Sequence, residues 1–257
     1  MNSVNKTLYI PLYGKALVSR RGILLDDPNA EVIWAAEGFP LKGKSKSRWL
    51  AYYMAMRAVV FDRWAENTAR ELPGALILHL GCGMDSRATR VTCPEHMWFD
   101  VDFPEVISQR RRHFGEAPRY RMVGADIRDG GWLAELPPAD TAIVVMEGVS
   151  MYLRPEELDA VIRNLTGRFP HVRLLMDCYS AFAAKASRFK NPINDVGVTQ
   201  VWGKDSPELA GIPFAAEHDM TPEELIAQLP ARDQRLFRKL YAGKFSRSLY
   251  RLYEYRT

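Results

Sequence analysis

A chain of 257 residues is long enough for one α/β domain with additions and for a sizeable buried core. Hydrophobic residues at 47% and charged residues at 26% exclude a disordered or membrane-embedded class, and no apolar run nears the ~18 residues of a membrane span. The net charge of +4 is uneven, with eight Lys/Arg against two acids from Arg232 to Thr257. That tail reads as a solvated face interleaved with core aromatics, or as a surface for an anionic substrate or an acidic carrier. No recognised motif accompanies it, so nucleic acid is not the expected partner. Cys82, Cys93 and Cys178 lack C-x-x-C spacing and a paired His, so neither zinc nor a disulfide framework is expected. An odd thiol suits a reducing cytoplasm. Pro11 and Lys15 break the only apolar stretch near the start, so no cleavable signal peptide is expected.

Residues 1–40 read as irregular with short helices, punctuated by Gly14, Gly22, Pro28, Gly38 and Pro40. A basic loop, Lys42 to Arg48, offers Ser45 or Ser47 to cap a helix over about 48–71. Leu50, Tyr53, Met54, Phe61, Trp64 and Ala65 give that helix an apolar stripe at i, i+3, i+4 spacing. Arg57 falls inside the stripe, and burying an unpaired guanidinium is costly, so it needs a partner or a ligand. Apolar runs at 75–80, 97–101, 119–123, 141–146 and 172–178 then alternate with helix-length segments, predicting a parallel sheet with helices on both faces. Further helices start at Pro155 and, with capping-box spacing, at Thr221-Pro222-Glu223-Glu224. Residues 180–220 are rich in Pro, Gly, Asn and Asp and read as an excursion toward the substrate.

The first apolar run enters a glycine turn, Leu80-Gly81-Cys82-Gly83-Met84-Asp85-Ser86, and the second ends in Asp100-Val101-Asp102. Bare backbone beside a strand-end carboxylate is how such sheets hold a nucleoside, the acid accepting from ribose hydroxyls. A dinucleotide turn carries a third glycine where Ser86 stands, and Asp85 opposes a pyrophosphate. A nucleoside without phosphates, S-adenosylmethionine, is therefore the expected ligand. Asp100 and Asp102 project to the same side, and both are ribose candidates. Asp85 reads chiefly as a helix cap. Asp126 ends the third strand, either as a loop cap or as an acceptor for the adenine amino group with Ile127 packed on the ring. Glu147 closes the fourth, entirely apolar run. Carboxylates suit a sulfonium, and Arg57 with a lysine of the basic loop suits the donor's own carboxylate. Cys82 reads as a small residue under the ligand and His79 as a core histidine. No nucleophile–base pair stands out, which fits in-line methyl transfer, whose main demand is alignment.

Together, Leu80 to Arg87, Val101-Asp102-Phe103-Pro104, Ala125 to Asp129, Glu147 to Leu153, Ser45-Lys46, Arg57 to Asp62 and Leu249 to Tyr255 resemble the leucine carboxyl methyltransferase family, from about residue 42 onward. The closer likeness is to its bacterial polyketide O-methyltransferase branch. The resemblance implies a class I methyltransferase fold: a mostly parallel sheet of about seven strands with helices on both faces. Residues 1–72 would form an N-terminal helical cap and 73–257 the core, with a lid-like insertion at about 180–220. It implies that Lys46 and Arg57 hold the methionine carboxylate, that Gly81, Cys82 and Gly83 lie beneath the donor, and that Asp102 binds the ribose. Asp126 and Ile127 would bind adenine, Glu147 would line the methionine end, and Tyr152 would sit near the transferred methyl. No metal is implied.

The expected function is transfer of methyl from S-adenosylmethionine, leaving S-adenosylhomocysteine, to an oxygen of a small metabolite such as a polyketide-like acid. A methyl ester is expected before an ether, since a carboxylate needs no base. The alternatives are carboxyl methylation of a peptide or protein C-terminus, an NAD(P)-dependent oxidoreductase, and a non-catalytic nucleoside-binding module.

Overall fold

The computed structural model describes residues 5–257. Residues 1–40, read as irregular with short helices, carry two: α1 over Tyr9–Ser19 and α2 over Pro28–Glu37. Asp27 starts α2 by accepting from the Ala30 amide at 2.9 Å, Pro28 sits in the first turn, and left-handed Gly38 ends it. α3 runs over Arg48–Glu71, with Ser47 rather than Ser45 as its cap.

The expected apolar runs are strands β1 (Leu76–Leu80), β2 (Met97–Asp102), β3 (Tyr120–Gly124), β4 (Thr141–Met146) and β5 (His171–Tyr179), all parallel. Between them lie α4 (Arg87–Arg90), α5 (Pro104–Arg110) and α6 (Pro155–Arg168). Two crossovers are shorter than helix-length spacing suggested: α4 has four residues, and β3 joins β4 through a 3₁₀ turn at Gly130–Glu135.

The remaining elements are α7 (Ala181–Lys190), β6 (Phe214–Glu217), α8 (Glu223–Ile226), α9 (Ala231–Tyr241), α10 (Lys244–Leu249) and β7 (Tyr250–Arg256). The sheet order is β3-β2-β1-β4-β5-β7-β6, with β7 antiparallel to both neighbours. The excursion at 180–220 thus carries a helix and ends in the edge strand. Thr221 does not cap α8; Pro222 holds that place without a side-chain bond.

Period-two alternation splits the core. Ile77, Ile143 and Val145 face a cluster shared with α1 and α3, whereas Leu76, Leu78, Val144 and Met146 face one with Trp132 and α6. Residues before 72 therefore share apolar core with the sheet. A third cluster joins Tyr52 and Met56 of α3 to Leu225 and Phe237.

Candidate active site

A cavity of about 790 Å³ opens at the C-terminal ends of β1, β2 and β4. The helical N-terminus, residues 191–193 and the α9–β7 region close it on the other sides. Parallel strands end there because right-handed crossovers leave their carboxyl ends side by side, and ligands of such sheets bind in that crevice.

The glycine turn forms its floor. Gly81 has φ of 65°, and a Cβ on it would lie 2.3 Å from Cγ2 of Val149, so both conformation and space require glycine. Cys82 lines the cavity, and burial pushes its thiol well above the usual range, leaving it a small neutral side chain.

Tertiary structure separates the two ribose candidates. Asp100 is fully buried, accepting from Trp98 Nε1 at 2.9 Å, from Tyr120 Oη at 2.6 Å and from Arg110. His79 Nδ1 lies 3.0 Å from the same carboxylate, and Arg87 Nη1 lies 3.1 Å from Nε2. An arginine only donates, so Nε2 must accept and Nδ1 carries the proton, which makes His79 neutral. Burial lowers its pKa in the same sense. Asp102, by contrast, lines the cavity. Its carboxylate accepts from the Gly83 amide at 2.8 Å and the Phe103 amide at 2.7 Å. Burial outweighs those bonds and the field of Arg110, raising its pKa to about 6.

Asp126 and Ile127 also line the cavity. Asp126 is held by Arg128, whose Nη2 donates at 2.5 Å and whose amide donates at 3.0 Å. The loop-cap reading and a cavity-facing position therefore coexist. Ile127 is buried, with its side chain in the sheet's second cluster.

Beyond the glycine turn runs a chain of buried charges that the sequence showed only in part. Glu147 accepts from Arg57 Nε at 2.9 Å and from Arg87 Nη2. Arg87, with no exposed surface, also donates through Nε to Asp62 at 2.6 Å. Asp85, expected chiefly as a helix cap, does accept from the Arg87 amide at 3.1 Å. Its carboxylate is also a junction, pairing with Lys15 at 2.7 Å and Arg90 at 2.6 Å. Burial opposes ionisation of Glu147, yet Arg57, Arg87 and Lys15 together hold it down at about 2.

Arg57 reaches further. Its Nη1 donates to Asp177 at 2.8 Å and to the Tyr250 hydroxyl at 2.6 Å. Among the described residues, only its Nη2 has no hydrogen-bond partner, and Arg57 lines the cavity. Lys46, by contrast, is exposed and does not line the cavity; Lys44 of the same 3₁₀ turn does. Tyr152, in the turn Ser150–Tyr152, lines the cavity with Tyr53, Tyr179, Tyr241 and Tyr250. Burial raises the Tyr152 phenol, which stays protonated.

Sequence reasoning missed Lys15, Arg87, Asp177 and Tyr250. Asp177 had a readable signal, an acid inside the apolar run of β5 near its C-terminal end. Lys15 and Arg87 had none, because the acids Asp85, Asp62 and Glu147 that hold them come from other elements.

These groups fit S-adenosylmethionine. A strand-end carboxylate faces the space beside the glycine turn, and an unpartnered guanidinium edge suits a carboxylate. Asp85 and Glu147 also line this space, each already paired with buried cations. No cluster of metal-binding side chains occurs among the described residues, and no helix among them is long and apolar enough to cross a membrane.

Comparisons with known proteins identify the family. The leucine carboxyl methyltransferase family model matches residues 8–166, starting well before residue 42. The tetracenomycin polyketide synthesis O-methyltransferase TcmP of Streptomyces glaucescens is 29% identical over 234 residues, covering 88% of this chain and 87% of its own. The S-adenosyl-L-methionine-dependent methyltransferase dpfgK of Gibberella zeae is 29% identical over 230 residues, covering 80% and 77%. A solved structure from Thermobifida fusca, assigned as a methyltransferase, aligns with a TM-score of 0.58 at 16% identity over 96% of this chain and 94% of its own. That likeness speaks to the fold alone. With the family model spanning more than half its length, the chain belongs to the leucine carboxyl methyltransferase family and is an S-adenosylmethionine-dependent methyltransferase.

Proposed function

We propose that the enzyme methylates an oxygen of a small, largely apolar metabolite of polyketide type. The observation that carries this reading is the continuity of one cavity from strand-end acids to a wall of tyrosines and aliphatic side chains. Its volume of about 790 Å³ lies within the range of small-molecule sites. The relative that acts in tetracenomycin polyketide synthesis supports the substrate class.

In this reading Arg57, through Nη2, holds the donor's carboxylate, and Lys44 or Lys15 supplements it in place of exposed Lys46. Gly81, Cys82 and Gly83 lie beneath the donor. Asp102 takes the ribose hydroxyls, Asp126 and Ile127 the adenine, and Glu147 faces the methionine end. Tyr152 stands at the acceptor side. The bound donor supplies an electrophilic methyl; the protein aligns the acceptor and excludes water.

The test is incubation with methyl-labelled S-adenosylmethionine and a small-molecule extract of the source organism. Label is expected in a low-mass, apolar product. Label confined to a protein or peptide C-terminus would favour the rival carboxyl-methylation reading.

A further inference from the structure

The cations of the C-terminal tail divide into two kinds. Arg238 donates through Nε to Glu223 at 3.0 Å, and Arg247 pairs with Asp219 at 3.0 Å, which ties α9 and α10 to the segment before them. Arg232, Arg235, Lys239 and Lys244, by contrast, are exposed, and among the described residues none of the four has an ion pair or a side-chain hydrogen bond. The acid nearest to them in sequence cannot neutralise them. Asp233 is buried and accepts from Arg48 at 3.2 Å and from the Tyr52 hydroxyl at 3.0 Å.

The same segment exposes large apolar side chains: Leu236 is 42% exposed, Leu240 52% and Phe245 69%. A single exposed leucine needs no explanation, but Leu236 and Leu240 are neighbours at i, i+4, and Phe245 follows at once on α10. At about 100° per residue, Arg235, Lys239 and Arg232 share one sector of ~60° on α9, and Leu236 and Leu240 occupy the next ~80°. Beyond the leucines the helix is buried, with Phe237 against Tyr52 and Tyr241. The outer face of α9 is therefore a stripe of cations laid beside a stripe of leucines, with no acid on it.

We propose that this face of α9 and α10 is a docking surface for a partner protein, and that the partner presents an acidic amphipathic helix. Charge complementarity identifies the occupant: carboxylates along one edge of such a helix would meet Arg232, Arg235, Lys239 and Lys244, while its apolar edge would cover Leu236, Leu240 and Phe245. A helix lying in a lipid surface sinks an apolar centre between polar flanks, whereas here cations border the leucines on one side and the protein's own core borders them on the other. The position suits a partner that serves the cavity. Tyr241, Ser246 and Leu249 of the same two helices line it, so the docked protein would stand one helix diameter, about 10 Å, from the substrate.

The test is fluorescence anisotropy with labelled helical peptides of about 18 residues, five turns. One carries a leucine stripe beside a glutamate stripe, a second has serine for each leucine at the same charge, and a third has lysine for each glutamate. The first should bind the wild type, and its affinity should fall as salt rises from ~50 to ~200 mM, because the cations are exposed. The serine and lysine peptides should each bind about ten-fold more weakly or worse. Arg235→Glu with Lys239→Glu should weaken the leucine–glutamate peptide by about ten-fold or more, as should Leu236→Ser with Leu240→Ser. All four positions are exposed, so both double variants should keep the wild-type melting temperature. No binding of the first peptide, equal binding of either control peptide, or unchanged affinity in either double variant overturns the proposal. Tighter binding to phosphatidylglycerol vesicles or to oligouridylate than to the peptide also overturns it, in favour of a membrane or an RNA surface. Should the serine variant unfold, the charge reversal decides alone.

Discussion

Asp102 and Arg57 carry the residue-scale expectations, because each faces the cavity with bonding capacity left over. The Asp102 pKa is raised from 3.8 to about 6, mainly by burial. In the ligand-free protein its contribution to stability is therefore full below pH 3.8 and is lost as pH rises through about 6. A ribose donating to the carboxylate reverses the preference. S-adenosylhomocysteine affinity should therefore fall as pH drops below about 6. Calorimetry across that range on wild type and Asp102→Asn checks this, and an equally steep dependence in the variant would exonerate Asp102. Arg57→Ala should weaken the same ligand well beyond the ~1 kcal/mol of an ordinary surface change. An unchanged affinity in a folded variant would make Arg57 a purely internal ion-pair partner of Glu147 and Asp177.

Elements are fastened to one another here by buried ions as much as by apolar surface. Ser86 donates to Asp27 Oδ2 at 2.6 Å, joining the start of α4 to the cap of α2. Lys15 of α1 reaches Asp85. Arg87 of α4 ties α3, through Asp62, to the end of β4, through Glu147. Removing one partner of a buried pair costs about 3–5 kcal/mol, because the remaining charge stays desolvated. Arg87→Met should therefore lower stability by about that amount in urea denaturation. A change below about 1 kcal/mol, the scale of an ordinary substitution, would show that Asp62 and Glu147 find other partners.

For the whole molecule the expectation concerns linkage. A ligand present at about 100 times its Kd stabilises the fold by ~2.7 kcal/mol, a rise of several degrees in Tm for a chain of this size. S-adenosylhomocysteine should produce that rise and NAD should produce none. The reverse result would contradict the donor assignment. The two ligands are told apart by a local feature of the fold: Ser86, buried and bonded to Asp27, stands where a dinucleotide turn carries its third glycine.

The parallel strands and α3 were legible because apolar spacing reports directly on local periodicity, and the glycine turn with Asp102 was legible because its residues lie close in sequence. The short β6 and the antiparallel β7 were less so: their partners lie far along the chain, and a tail with eight basic residues reads as surface until it is wedged beside β5. Thus the sequence by itself determined the fold class, the nucleoside turn and the strand-end acids. Only tertiary structure decided that Asp100 is spent on Arg110, Trp98 and Tyr120 while Asp102 faces the cavity. It likewise set exposed Lys46 outside the cavity and brought Arg57, Glu147, Asp177 and Tyr250 together from four separate elements. Local spacing fixes which face a side chain takes; which charge it meets there depends on how whole elements pack, bringing Arg57 against Asp177 and Tyr250 from 120 and 193 positions away.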